Sequence, residues 1–373
     1  MTSDKNALWR EWPIVLIWCA FLLFTFAGAS LKPDYLGTTA SFAVLVVIFV
    51  VMLMAVFRVV HHAECLAAIF GEPLGTLILT LSVIGIEVAL ITAVMLTGDN
   101  APTLARDTMF SVLMIVLNGL VGLSLLIGGL RHGLQVFNLS GANAYLIVLL
   151  PVAITSLILP SFTSSAPGGG LSTLQTVFQI VISLVLYGIF LLFQTVQNPV
   201  SFQQPRHADD EPDAHHHHLQ PKSTGFHAAG LLLALLPLVL MSKKLAVYVD
   251  FGIAHVGAPV ALGGFIVAIM ILTPEALAAL EAARKNQLQR AVNICLGSAL
   301  ATIGLTVPAV LIAAHFVGLP TELGLSPAGV VVLTLSLAIS IVTFVGTRTN
   351  SLQGVVHLAV FFAYVILIFD GDF

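Results

Sequence analysis

The chain has 373 residues, of which 58% are hydrophobic and 9% charged, with a formal net charge of -4. Soluble domains carry about 25% charged residues, so this composition cannot cover a water-facing surface and excludes a soluble protein. It specifies an all-α polytopic membrane protein whose surroundings are the lipid bilayer, and the small net charge gives no sign of a nucleic-acid partner. Cys19, Cys65 and Cys295 are too few and too scattered for a disulfide framework or a zinc site.

A spanning helix needs ~20 mostly apolar residues. In chain order the candidates are roughly 13–30, 39–59, 74–97, 108–129, 143–160, 172–194, 227–242, 251–280, 291–315, 327–345 and 353–369. Residues 1–36 hold an N-terminal segment and a first helix, which follows Lys5 and Arg10 without a small-residue cleavage pattern and is read as retained. Residues 37–194 hold five helices. Residues 195–226 form a hydrophilic linker with Asp209, Asp210, Glu211, Asp213 and His215, His216, His217, His218. Residues 227–373 hold five more helices. Lys243, Lys244 and Asp250 are read as separating the seventh span from the eighth. An odd number of spans per set inverts the second set relative to the first, the inverted-repeat plan of many secondary transporters.

Lys and Arg set the orientation. With the N-terminus inside, inner segments hold ten of them (Lys5, Arg10, Arg58, Arg131, Arg206, Lys222, Arg284, Lys285, Arg290, Arg348) and outer segments four (Lys32, Arg106, Lys243, Lys244). The expectation is a bacterial inner-membrane protein with a cytoplasmic N-terminus and a periplasmic C-terminus.

Two spans carry an ionisable group. Glu87 lies in Leu74 to Leu96, which is otherwise apolar apart from hydroxyls. Glu275 follows Pro274, where the run from Phe265 is expected to break. A charge at the centre of an inserted helix costs at least ~2.5–3.5 kcal/mol, so it usually faces a cavity, a partner or an ion path. Each glutamate sits on the second helix of its set of five. Thr80, Ser82, Thr273 and Ser298 offer further oxygens. Glu64 and Glu72, near a helix end, are candidates for the inner mouth of a path and equally for a solvated helix end. Gly297-Ser298-Ala299 reads both as ion path and as a small-residue packing seam. Asn118 and Asn293 read as interhelical hydrogen bonders, with a place on the ion path as the alternative. Glu281, Arg284, Lys285 and Arg290 read as a charged helix end.

The linker histidines fit a transition-metal tract, a pH- or calcium-sensitive strip, or a solvated connection. His62-Ala63-Glu64 matches half of a zinc deaminase motif, but no Pro-Cys-x-x-Cys follows. There is no His-Glu-x-x-His, phosphate loop or Gly-x-Ser-x-Gly. The chain is therefore read as a transporter without a cofactor, and not as an enzyme or an ATP-driven pump. A cation channel and an intramembrane enzyme using the two carboxylates are the rival classes.

Ala63-Glu64-Cys65-Leu66-Ala67-Ala68-Ile69-Phe70-Gly71-Glu72-Pro73-Leu74-Gly75, with Glu87 sixteen residues after Gly71, resembles the first signature of calcium/proton exchangers of the calcium:cation antiporter superfamily. Glu275 through Lys285-Asn286 to Gly297-Ser298-Ala299 and Pro308 resembles the second. Gly128-Gly129-Leu130-Arg131, followed by Gln135-Val136-Phe137-Asn138, resembles the family's fourth-helix exit. The familiar form has Gly-Asn before each glutamate, where this chain has Val83-Ile84 and Ile271-Leu272. That variant is similar to the bacterial ChaA-like branch. The resemblance implies an antiporter in which Glu87 and Glu275 bind the transported cation, calcium or else sodium or potassium, and protons in turn. The missing asparagines remove expected oxygen ligands for calcium.

Overall fold

Runs that are apolar on every side can hide their surface only in lipid, and their backbone must then bond within the segment, which selects the helix. The computed structural model describes residues 11–28, 30–71, 74–95, 102–205, 222–318 and 321–371. Its long helices are α1 (Trp12–Phe26), α2 (Thr38–Phe70), α3 (Leu74–Met95), α4 (Leu104–His132), α5 (Leu139–Phe162), α6 (Thr173–Gln197), α7 (Thr224–Val256), α8 (Ala261–Arg284), α9 (Leu288–Val317), α10 (Pro327–Phe344) and α11 (Ser351–Asp370). Among the described residues nine helices are long and apolar enough to cross a membrane. Trp12–Phe26 and Ile78–Thr92 are shorter apolar helices. The protein is thus an all-α membrane protein with one leading helix and two inverted sets of five. Large apolar side chains such as Val46, Val47, Leu174 and Phe178 stand exposed on the outside, which is tolerable in lipid and costly in water.

Two boundaries differ from the sequence reading. Lys243, Lys244 and Asp250 do not separate spans. α7 continues through them for 33 residues and stops at Gly257, whose left-handed backbone (φ 66°, ψ 29°) caps it just before Pro259. α8 then begins at Ala261. α2 likewise runs 33 residues, past the expected end near residue 59. At 1.5 Å per residue each is about 50 Å long, well beyond the ~30 Å hydrocarbon core. The charges that look like loop signals therefore lie within one continuous helix.

The chain divides into two compact units. One comprises Met1–Ala101 and Pro212–Gly263, the other Pro102–Glu211 and Gly264–Phe373. In the first, α7 packs along α2, and both contact α1 and α3. Phe42 meets Phe251 and His255 near one end of the α2–α7 pair, while His62 meets His227 at the other. Trp18 Nε1 donates to the Leu233 carbonyl at 2.9 Å, and the Tyr248 hydroxyl donates to the Leu31 carbonyl.

In the second unit α4 and α11 approach backbone to backbone. A Cβ on Gly354 would lie 2.5 Å from the Leu126 nitrogen and 2.7 Å from the Gly122 oxygen, and one on Gly129 would lie 2.5 Å from the Ser351 nitrogen. Both α4 and α9, the third helix of each set, contain a π-helical turn, at Ile115–Leu120 and Thr302–Thr306. Asn118 Nδ2, inside the first of these turns, donates to Ser336 Oγ on α10 at 2.8 Å. Asn293 Nδ2 donates to the Phe202 carbonyl at 2.6 Å. Both asparagines therefore tie separate segments together.

Loop contacts agree with an eleven-span count. In the second unit β1 (Gln135–Val136), after the fourth span, pairs antiparallel with β2 (Arg348–Thr349), after the tenth. Gln135 Nε2 also donates to Asn286 Oδ1, after the eighth span, at 2.9 Å. Gly170, after the fifth, bridges Glu322, after the ninth, whose nitrogen donates to the Pro102 carbonyl, after the third. Even-numbered exits meet even ones and odd meet odd, as they must when each span crosses once. In the first unit Glu11, before the first span, meets Arg58 at the end of the second.

Candidate ion-binding site

Glu87 and Glu275 belong to different units, and each is placed by its own helix. In α3 the buried face consists of Ile84, Ile86, Glu87, Leu90 and Ile91, with Glu87 only 3% exposed and its Oε1 buried. Thr80, seven residues earlier, falls on the same face at 100° per residue, whereas Ser82 falls on a different one. The Ser82 hydroxyl donates to the Ile78 carbonyl of its own helix at 2.7 Å, leaving its lone pairs as the only oxygen function it can offer.

Glu275 is half-buried, with its Oε2 buried. Its face of α8 is completed by Ala268, Ile271, Leu272, Ala279 and Ala282, all buried. The expected break at Pro274 does not occur, because α8 runs through it. A single proline removes one N–H, and a membrane helix absorbs that loss when its other bonds are kept. What remains is a Met270 carbonyl to which position 274 has no N–H to give. Thr273 lies on another face and donates to the Ile269 carbonyl at 2.7 Å. Ser298 is half-buried on α9 in the same unit, next to Gly297, which packs against the buried ring of Tyr145. Glu64 is exposed near the end of α2. Glu72 and the acidic, His-rich linker residues Asp209 to His218 lie outside the described residues. The Glu281–Lys285 pair, at 2.6 Å and exposed, sits at the end of α8 as a charged helix terminus.

The residues before each glutamate define what is unusual here. Ile84, Ile271 and Leu272 are buried, so apolar side chains occupy the neighbourhood where the resemblance leads one to expect amide oxygens. Each carboxylate can neutralise a cation or take up a proton, but these two positions add no oxygen to it.

Sequence reasoning missed one polar cluster altogether. At the N-terminal end of the first unit, Glu11 receives a forked pair of bonds from Arg58, Nη2 to Oε1 at 2.6 Å and Nε to Oε2 at 3.0 Å. His62 Nε2 lies 3.2 Å from Glu11 Oε2, His62 Nδ1 lies 3.1 Å from His227 Nδ1, and the Lys222 backbone N–H meets His227 Nε2 at 3.0 Å. The available signal was a pair of histidines placed near the ends of two apolar runs. Burial pushes the Glu11 carboxyl up, but hydrogen bonding and charge from His62 and Arg58 outweigh it and hold the carboxyl below its usual range. The stabilisation this brings is therefore present above the ordinary carboxylate value of about 4.3 and is lost as pH falls through the lowered one. The melting-temperature gap between the wild type and Glu11→Gln should accordingly be widest near neutral pH and close on strong acidification. A gap that widened in acid would contradict this assignment.

Eleven apolar helices in one-plus-five-plus-five order, with a carboxylate on the buried face of the second helix of each set, define a polytopic membrane transport protein of the cation-exchanger fold. The family described as sodium/calcium exchanger protein matches residues 40–196 and 226–369, and the chain belongs to that family. It is 44% identical over 320 residues to the sodium-potassium/proton antiporter ChaA of Escherichia coli (strain K12), covering 85% of this chain and 86% of the relative. It is 24% identical over 356 residues to the Ca(2+)/H(+) antiporter ChaA of Bacillus subtilis (strain 168), covering 93% and 97%. The fold is also that of the crystal structure of the Ca2+/H+ antiporter protein YfkE, with TM-score 0.69 and 20% identity, covering 96% of this chain and 98% of the other.

Proposed function

We propose that the protein is a secondary antiporter that exchanges calcium for protons across the bacterial inner membrane, with its N-terminus in the cytoplasm and its C-terminus in the periplasm. Glu87 and Glu275 bind cation and protons in turn. The observation that carries this reading is the placement of one carboxylate on the buried face of the second helix in each inverted set. Calcium is a hard cation that takes six to eight oxygens at flexible distances. Each unit offers it one carboxylate, with the Thr80 hydroxyl as a further oxygen on α3, the Met270 carbonyl and Ser298 hydroxyl as further oxygens in the other unit, and water besides. Without a cation, a carboxylate in a low-dielectric setting favours its protonated form, and an arriving cation favours the ionised one. Competition for the same oxygens couples the two fluxes, and alternating access makes them vectorial.

Sodium or potassium/proton exchange is the second reading. It rests on the buried Ile84, Ile271 and Leu272, which leave fewer oxygens than a fully coordinated divalent ion requires, and on the relative that bears that name. Everted membrane vesicles with a pH-sensitive dye separate the two. Calcium alone should collapse the imposed pH gradient if the first reading holds. Sodium or potassium acting equally well would favour the second. No response to any of them, with the protein present in the membrane, would overturn antiport and favour a channel.

A further inference from the structure

We infer that the N-terminal end of the first unit carries a proton-operated latch, the chain Lys222–His227–His62–Glu11–Arg58, which closes only when both imidazoles are neutral and opens when that side of the membrane is acidified. The tautomers follow from donor and acceptor counting. The Lys222 N–H can only donate, so His227 Nε2 must be bare. A neutral His227 then carries its proton on Nδ1 and donates it to His62 Nδ1. His62 in turn carries its proton on Nε2 and donates it to the Glu11 carboxylate, which Arg58 holds from the other side. Every ring nitrogen is used once, all in one direction.

No protonated form preserves this chain. An imidazolium has two donors and no acceptor. A proton added to His227 Nε2 confronts the Lys222 N–H, and one added to His62 Nδ1 confronts the His227 N–H. Both rings are buried, so a displaced His227 N–H has no water at hand to replace its partner. The charged and titratable groups around the pair are Arg58, His61, Glu64 and Cys65 on α2, Glu11 ahead of α1, and Lys222 beside the start of α7. α1 and α3 add only Cys19 and Glu87, and the remaining titratable groups of α7 (Lys243, Lys244, Tyr248, Asp250, His255) lie toward its other end. The latch ties three separate stretches together: the segment before the first span, the overhanging end of α2, and the start of α7.

One glycine provides a test that adds no charge. The His62 ring lies directly on Gly230, and a Cβ there would collide with its Cε1, Nε2 and Cδ2 atoms. Gly230→Ala must therefore push the ring out of line while leaving every titratable group in place. The double variant His62→Gln/His227→Gln does the reverse, since an amide can both donate and accept but does not titrate near neutrality.

The readout is hydrogen–deuterium exchange of the Lys222 amide, isolated by overlapping peptides and corrected for the intrinsic pH dependence of exchange. On going from about pH 8 to about pH 5.5, the range in which histidines act as switches, the wild-type amide should exchange about fivefold faster, as expected for the loss of one hydrogen bond. The double variant should show no such step, and Gly230→Ala should exchange fast at every pH. A step of equal size in the double variant, or a protected amide in Gly230→Ala, would overturn the latch. The consequence for transport rests on the antiport reading: at a fixed pH difference, wild-type exchange should slow relative to the double variant as the N-terminal side is acidified. A step in amide exchange without that divergence would refute the regulatory role. A step in a protein that moves no cation against protons would instead count against the antiport reading while leaving the latch standing.

Discussion

Glu275→Gln is expected to abolish cation-driven proton movement while leaving the protein inserted and folded. The substitution keeps the shape of the side chain and removes both its charge and its titrating proton. Losing a charged partner at a cation of this kind is worth ~1.5–3 kcal/mol, or roughly 10–100-fold in binding. The loss of the exchangeable proton comes on top, so exchange should fall to background. Removing an intramembrane charge also lowers the cost of insertion, so membrane content should be normal. Glu87→Gln should behave in the same way, since its carboxylate sits on the equivalent helix of the other set. The measurement is dye dequenching in everted vesicles at matched protein level. Exchange at the normal rate by Glu275→Gln would remove the carboxylate mechanism.

Gly354→Val is expected to have the largest effect on stability. Even a single Cβ at this position meets the Leu126 nitrogen at 2.5 Å and the Gly122 oxygen at 2.7 Å. These are backbone atoms on α4, which cannot swing aside as a side chain does, so α4 and α11 must separate along their length. Overpacking costs ~1–3 kcal/mol where side chains can yield, and more where a backbone must move. A fall in melting temperature of about 5 °C or more in detergent would follow. Gly188→Ala is the control, because a Cβ there meets nothing within 4 Å. Equal melting temperatures for Gly354→Val and the wild type would mean that the close α4–α11 approach does not carry stability.

Much of the architecture was legible because lipid imposes a simple rule. A stretch apolar on every side and about as long as the bilayer is thick must be a spanning helix, and all eleven expected spans have a helix in the structure. The family resemblance was legible from the residues around the two glutamates, and the family match agrees with it. The rule failed where charge was taken to mean a loop. Lys243, Lys244 and Asp250 lie within α7 because a helix stops where its backbone is capped, here at Gly257, and not where the lipid ends. It failed again at Pro274, where one missing N–H was too small a loss to end α8.

By itself, then, the sequence determined the class of protein, the number and order of its helices, and the presence of one carboxylate in each of two apolar spans. Those properties depend on composition and on local runs of residues, and can be read one segment at a time. Only the tertiary structure decided which face each carboxylate occupies, that Ser82 and Thr273 turn their hydroxyls onto their own helices, and that Gly122, Gly129 and Gly354 form one close contact. It also decided that Glu11, His62 and His227, far apart in the chain, lie within hydrogen-bonding distance of one another in sequence Glu11–His62–His227. Such relations join residues separated by up to about three-fifths of the sequence, as Gly122 and Gly354 are, and no local pattern encodes them, because they arise only when packed helices bring distant residues into contact.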